Sequence, residues 1–458
     1  MAGVHLLGMD RPARAAVVGG LCLAPLIGVG IVYSAQWLVL GIVVIGLAVA
    51  LLRRPVWGVY GLVGGTFFDS IAIETPFAVL GAGDLAALGL IAAWMAHRLI
   101  NPRGIRIPRR GVLLLGYFVL AFASLATGVS PASAVGGYTR LVIYGITMLA
   151  VVDLVRDIDA IERITIIMAL CGLLHAIIGL GFMGTTGRLA GLIKQPNLLG
   201  VLIALGAFPM AGWIIRAKNQ VTRWLLVGCL MLMALGIVLT ISRGTYIAVA
   251  IGFMWWVRRS VRLALALAIV LGGTFIAMTH FAHDRIDRIE RRLEFQDSSV
   301  VNRGIVAKNA LRTIAEAPLL GIGFGQFGHA HAAVDFTREI GRGSHNFYLG
   351  TAASTGLPAL LLFLAFLFTQ ARRIGVGLKN ARNQVAGAFE GNWMRYEWAM
   401  ALFETLMVYH ASSLMVRGGQ RLMEWTFFSL YAALAAVAVT AKKSTSEPEQ
   451  SSEPPPAE

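Results

Sequence analysis

The tetrapeptide Gly343-Ser344-His345-Asn346 stands between a polar stretch and an apolar run that opens at Phe347. An imidazole at such a boundary has water on one side and helix on the other. Its ordinary pKa of about 6.5 suits taking a proton from a hydroxyl group near neutral pH. The competing role is an interfacial histidine that only hydrogen-bonds a neighbouring loop. Two arginines have equally informative surroundings. Arg188 lies in Gly187-Arg188-Leu189-Ala190-Gly191-Leu192-Ile193-Lys194-Gln195-Pro196-Asn197, where glycines and Pro196 shape the backbone and Lys194 adds a second cation. Arg243 lies in Ser242-Arg243-Gly244, between two apolar runs. The planar guanidinium fork suits bidentate capture of phosphate oxygens. In isolation, either arginine would instead snorkel to lipid headgroups or pair with a carboxylate.

Other chemistry-bearing residues point less sharply. His329 and His331 have no carboxylate grouping nearby to complete a metal site. Gly321, Gly323 and Gly325 form a flexible connection that is a nucleotide loop only superficially, because no Gly-Lys-Ser/Thr follows. Asp69, Glu74, Asp84, His175, Glu404 and His410 lie in or beside apolar runs, where a charge is costly and a paired or functional role is usual. Trp37, Trp255, Trp256 and Trp425 read as interfacial belts. Cys22, Cys171 and Cys229 sit inside apolar runs, which indicates neither a disulfide framework nor a thiolate metal cluster.

The elements that must carry these residues are membrane helices. With 57% hydrophobic and 14% charged residues and a mean hydropathy of +0.72, the chain is too apolar to cover a soluble globule. The net charge of +15 then reflects a biased membrane topology rather than nucleic-acid binding. Windows of about 20 apolar residues predict spans at 15–33, 36–52, 56–73, 77–100, 111–129, 138–155, 161–183, 197–216, 224–241, 244–257, 262–281, 346–371, 396–413 and 421–441. The second and tenth are short, so the prediction is an all-α polytopic membrane protein of 12–14 transmembrane helices. Most of the 39 Lys and Arg residues fall on one side of this arrangement, which assigns that side and both termini to the cytoplasm. Arg140, Arg188, Lys194, Arg243, Arg417 and Arg421 remain in short connections on the other side, together with one large loop at 282–344. In that loop Ser298 or Ser299 could cap an amphipathic helix running to about Glu316, before Pro318, and lying over the membrane surface. Val301 and Ile305 are expected on its apolar face, with Lys308, Arg312 and Glu316 on another. Residues 442–458 lack apolar side chains and read as a disordered cytoplasmic tail.

Three blocks of the sequence together resemble the O-antigen ligase and polymerase superfamily of bacterial envelope glycosyltransferases. They are Arg188-Leu-Ala-Gly with Gln195-Pro196-Asn197-Leu-Leu-Gly200, then Ser242-Arg243-Gly244, then Arg303 through Pro318-Leu-Leu-Gly-Ile-Gly-Phe-Gly-Gln-Phe to Ser344-His345-Asn346 and Gly356-Leu357. The resemblance covers roughly residues 185–370. It implies N-terminal transmembrane helices at 1–183, a catalytic region at 184–371 that includes the periplasmic loop 282–344, and C-terminal helices at 372–441. It further implies a GT-C-like, inverting and metal-independent glycosyltransferase of the bacterial inner membrane, without a cofactor and with a periplasmic active site. The donor would be a glycan on undecaprenyl pyrophosphate and the acceptor lipid A-core. By the same resemblance, Arg188 and Arg243 bind the donor pyrophosphate and His345 is the essential loop histidine. Lys194, Asn197, Arg303, Arg342 and Asn346 are candidate supporting residues. The ligase pattern is matched at His345, Asn346 and Gly356, but Ala359 occupies its last place. A ligase is therefore favoured, and a polymerase joining lipid-linked repeats is the alternative. A transporter of the same lipid-linked sugar is less favoured, because the cations gather at one membrane face rather than at mid-membrane.

Overall fold

A computed structural model describes residues 46–74, 79–128, 130–181, 189–193, 195–257, 269, 272, 298–327, 346–385, 401–403, 405, 406, 409, 410 and 422–443. Within them the order is α1 (Val56–Phe67), β1 (Ala72–Glu74), β2 (Val79–Gly81), α2 (Ala82–Ile100), α3 (Gly111–Ala123), α4 (Pro131–Leu154), α5 (Ile158–Gly181), α6 (Pro196–Arg216), α7 (Gln220–Leu239), α8 (Arg243–Val257), α9 (Ser298–Glu316), α10 (Phe347–Thr355), α11 (Leu357–Val385) and α12 (Leu422–Lys443). Six stretches are long and apolar enough to cross a membrane: Ala82–Ile100, Ala134–Leu154, Ile158–Gly181, Pro196–Arg216, Gln220–Leu239 and Leu357–Lys379. Val56–Phe67, Gly111–Thr127 and Met423–Val437 are shorter apolar helices. The chain is an all-α polytopic membrane protein with one small hairpin, β1 and β2 pairing antiparallel with Ile73 opposite Leu80. The expected run at 56–73 therefore ends as a helix at Phe67 and turns into that hairpin. The expected spans at 15–33, 262–281 and 396–413, most of 36–52, and the tail lie wholly or largely outside the described residues.

Helix α6 is the centre of the second half, packing on α5, α7 and α8. Its residues from Leu199 to Met210 are buried nearly all round, with Leu199, Ile203 and Leu205 at zero exposure. Gly172 of α5 and Gly206 of α6 let the two backbones touch. A Cβ on Gly206 would stand 2.6 Å from the Met168 carbonyl oxygen and 2.8 Å from the Gly172 Cα. Lipid offers no hydrophobic drive between helices, so close backbone packing of this kind supplies the attraction. The other half joins α1 to α2, α2 to α4, and α12 to α1, α4 and α11. Trp425 sits in this core at 1% exposure among Tyr117, Phe118, Phe363 and Phe428, so the interfacial position expected for it is not found. The side chains of Trp37, Trp255 and Trp256 lie outside the described ones.

The two ends of the bundle differ chemically. At one end buried Asp153 of α4 accepts from Trp94 Nε1 at 2.7 Å, Arg98 Nε at 2.6 Å, the Arg106 amide at 3.0 Å and an Arg156 guanidinium nitrogen at 2.8 Å. The Arg98 guanidinium also pairs with the same carboxylate. Arg106 donates to the Ala436 carbonyl at 2.7 Å, Gln370 donates to the Arg109 carbonyl at 3.2 Å, and Arg216 pairs with Glu162 at 3.3 Å. These cations are the ones expected on a common side from their place in the sequence. Helices α7 and α11 run from that end to the opposite one, where Leu239 and Leu357 lie.

Candidate functional site

At the far end of α7 the chain turns through Thr240, Ile241 and Ser242 into α8. Ser242 caps α8: its Oγ accepts from the Thr245 amide at 3.3 Å and from Thr245 Oγ1 at 2.9 Å. Ile241 takes a left-handed φ of 49°. A β-branched residue is unsuited to that region, at a cost of roughly 1–3 kcal/mol, and such strain concentrates where function fixes the backbone. Arg243, half-buried, is the first residue of α8 immediately after this turn.

Two further pieces of chain close on the turn. The Leu189 amide donates to the Leu239 carbonyl at 3.0 Å, and Leu189 is fully buried. Thr245 Oγ1 also reaches the Asn197 carbonyl at 3.4 Å, at the start of α6. Gly200, one helical turn on, leaves no room for a side chain: a Cβ there would lie 2.6 Å from Thr245 Oγ1 and 2.9 Å from Thr240 Oγ1. The structure therefore brings the start of α6 at Asn197, the turn that leads into Arg243 and the residue that follows Arg188 to one junction. Arg188 and Lys194 themselves lie outside the described residues. The hydrogen bond from Leu189 and the Thr240–Thr245–Gly200 knot carried no advance signal in the sequence. Ser242 is of a residue type that caps helices.

The second cluster is built by Asn346, the N-cap of α10. Its Oδ1 accepts from the amides of Tyr348 and Leu349, both at 3.0 Å, satisfying two donors that a helix start leaves open. His345, Arg342, His329 and His331 lie outside the described residues. The expected continuous span at 346–371 is instead broken at Gly356, whose φ is 85°. A Cβ at Gly356 would overlap the Leu319 carbonyl, while the Leu357 amide donates to the Pro318 carbonyl at 2.8 Å and the Ile322 amide to the Ala353 carbonyl at 3.0 Å. The glycine segment at 321–325 is consequently a packed strap across α10 and not the flexible connection expected. Its Gln326, fully buried, accepts the Ser130 amide at 3.0 Å ahead of α4.

Helix α9 forms over Ser298–Glu316 as predicted and packs on α10. Its covered stripe is Val306, Ala310 and Ile314, which meet Phe327, Ile322, Leu349 and Ala353. Ile305, expected on the apolar face toward lipid or protein, is 44% exposed, and protein covers the neighbouring Val306. Lys308, Arg312 and Glu316 are exposed as expected, with Arg312 and Glu316 paired at 2.7 Å. Arg303, half-buried, stands on this helix. Arg303 and Asn346 thus belong to adjoining elements, at the same end of the bundle as Asn197 and Arg243 but in a separate cluster. Among the acidic and histidine residues without an obvious partner in sequence, Asp84 accepts the Gly81 amide at 3.1 Å and His175 Nε2 meets the Phe67 carbonyl at 2.7 Å. His410 Nδ1 meets the Tyr348 hydroxyl at 3.1 Å. Among the described residues, no group of His, Cys, Asp and Glu has the make-up of a metal site.

No curated protein matches the sequence. Residues 228–364 match the family model described as O-antigen ligase, a stretch that runs from α7 through Arg243, the strap and Asn346 into α11, so the chain carries the region that marks the O-antigen ligase superfamily.

Proposed function

We propose that the protein transfers a glycan from undecaprenyl pyrophosphate to a sugar hydroxyl of lipid A-core at the periplasmic face of the bacterial inner membrane, with both termini in the cytoplasm. Residues 184–371 are the catalytic region of this reading. His345 takes the proton of the acceptor hydroxyl while its oxygen forms the new bond at the anomeric carbon. The bond from that carbon to the pyrophosphate breaks from the opposite face, which inverts the anomeric configuration. Arg188 and Arg243 stabilise the negative charge that the departing pyrophosphate keeps. Lys194, Asn197, Arg303, Arg342 and Asn346 support the two substrates, and no step calls for a metal.

The observation that carries the proposal is the closing of Leu189 and the Asn197 carbonyl on the turn from Leu239 to Thr245 that contains Arg243, at the same bundle end as the Asn346 cap next to His345. Both clusters lie opposite the Asp153 network, which is the arrangement a positive-inside bias favours for an outward site.

The deciding experiment is loss of the gene, followed by electrophoresis of lipopolysaccharide. Core without any O-antigen, together with accumulated lipid-linked polymer, is expected for the ligase. Core bearing a single repeat would assign the protein to the polymerases. Purified His345→Ala protein that transferred glycan at the normal rate would remove His345 from the role of base, and undiminished donor turnover in Arg243→Ala would do the same for the phosphate contact.

A further inference from the structure

We infer that Tyr348 and His410 form a positioning pair that sets the N-terminal turn of α10 for glycan transfer, an inference that rests on the reading of His345 as the base. Asn346 caps α10 through the amides of Tyr348 and Leu349. The cap fixes the helix start relative to its own axis but leaves the helix free to rotate or slide against its neighbours. Phe347 contacts Phe363 and Phe428, with ring centroids 5.6 and 5.3 Å apart. Those ring contacts restrain Phe347, and a hydrogen bond, which weakens steeply with angle and distance, adds a directional restraint.

Tyr348 supplies that directional contact, its hydroxyl lying 3.1 Å from His410 Nδ1. The imidazole is itself held: it stacks on Phe428 at 5.5 Å and 29°, and meets the edge of Tyr431 at 5.2 Å and 72°. Phe428 and Tyr431 belong to α12 and are buried, and α12 accepts Arg106 at the opposite end of the bundle. The first turn of α10 is therefore tied through Tyr348 to an imidazole packed against α12, whose Ala436 carbonyl accepts Arg106. Tyr348 lies three residues after His345, so a shift of that turn moves the backbone from which His345 departs.

The test uses full-length protein in nanodiscs, with lipid-linked glycan extracted from cells lacking the enzyme as donor and purified lipid A-core as acceptor. Because displacements of about 1 Å can cost on the order of 100-fold in rate, Tyr348→Phe is expected to lower kcat at least ~10-fold while the donor KM stays within ~2-fold. His410→Asn, which keeps a polar atom near the Nδ1 position, is expected to recover most of the rate lost in His410→Leu. Amide exchange across residues 346–350 is expected to quicken in Tyr348→Phe, with α5 and α6 unchanged. Wild-type kcat in Tyr348→Phe, or faster exchange spread evenly over all helices, overturns the inference. If the wild-type protein transfers nothing from this donor, the transfer reading fails instead, and the exchange experiment still decides whether the pair holds α10.

Discussion

The Leu189 amide and the Leu239 carbonyl, 3.0 Å apart, join the segment that follows Arg188 to the end of α7, four residues before Arg243. The start of α6 closes on the same turn through the Asn197 carbonyl, and Gly200 controls how tightly it does so. Gly200→Ala inserts a methyl group against Thr245 and Thr240, and overpacking of this kind costs about 1–3 kcal/mol. The variant is expected to lower the melting temperature and to raise the donor KM. Adding Thr245→Ala removes the nearer obstruction, so a double-mutant cycle should return a favourable coupling. Strict additivity of the two changes would contradict the close packing.

Asn346 acts as a cap, and its substitutions should sort by capping ability. Asn346→Ala leaves two amides of α10 open and is expected to cost about 1 kcal/mol, whereas Asn346→Asp or Asn346→Ser should stay within a few tenths of wild type. Thermal unfolding in detergent reads the stability, and transfer should fall in the same order. Equal loss in Ala and Asp variants would mean that the amide group of Asn346 contacts substrate.

Gly356 breaks what would otherwise be one helix. Its left-handed φ costs a side chain roughly 1–3 kcal/mol, and the overlap with the Leu319 carbonyl adds to that. Gly356→Ala is expected to pull the 317–327 strap from α10 and expose it to protease. A variant with unchanged cleavage in that strap would show that the strap holds without the close approach.

Hydropathy alone is enough to predict α2, α4, α5, α6 and α7, because each is a long apolar run bounded by Gly, Pro or charge. Hydropathy does not register the break at Gly356, because Leu357, Pro358 and the following residues keep the run apolar; its sequence mark is the glycine followed two residues on by Pro358, a common helix end and restart. The part of the α9 apolar face that protein covers is likewise set by tertiary contact. Val301, Ile305, Val306 and Ala310 are all apolar, so composition defines a broad stripe and the partner α10 selects part of it. Of the candidate site, Ser242 and Asn346 are residue types that favour helix caps, whereas the Leu189 to Leu239 bond is backbone to backbone and leaves no trace in side-chain identity. The partner of His410 was likewise invisible, since Tyr348 is 62 residues away.

Asp153 offers a control distant from the candidate site. Its carboxylate is fully buried and holds α2, the segment at 101–110 and α4 together through Trp94, Arg98, Arg106 and Arg156. Removing one partner from a buried charge network leaves the remaining charges without compensation, at about 3–5 kcal/mol. Asp153→Ala is therefore expected to reduce the amount of folded protein in the membrane several-fold. Arg156→Ala should be much milder, since that side chain is 46% exposed and water can replace it. Molecules of Asp153→Ala that do fold should keep the donor KM of wild type, because the network sits at the end of the bundle opposite Arg243. A raised KM in that folded fraction would mean that the two ends are coupled through α4 and α12.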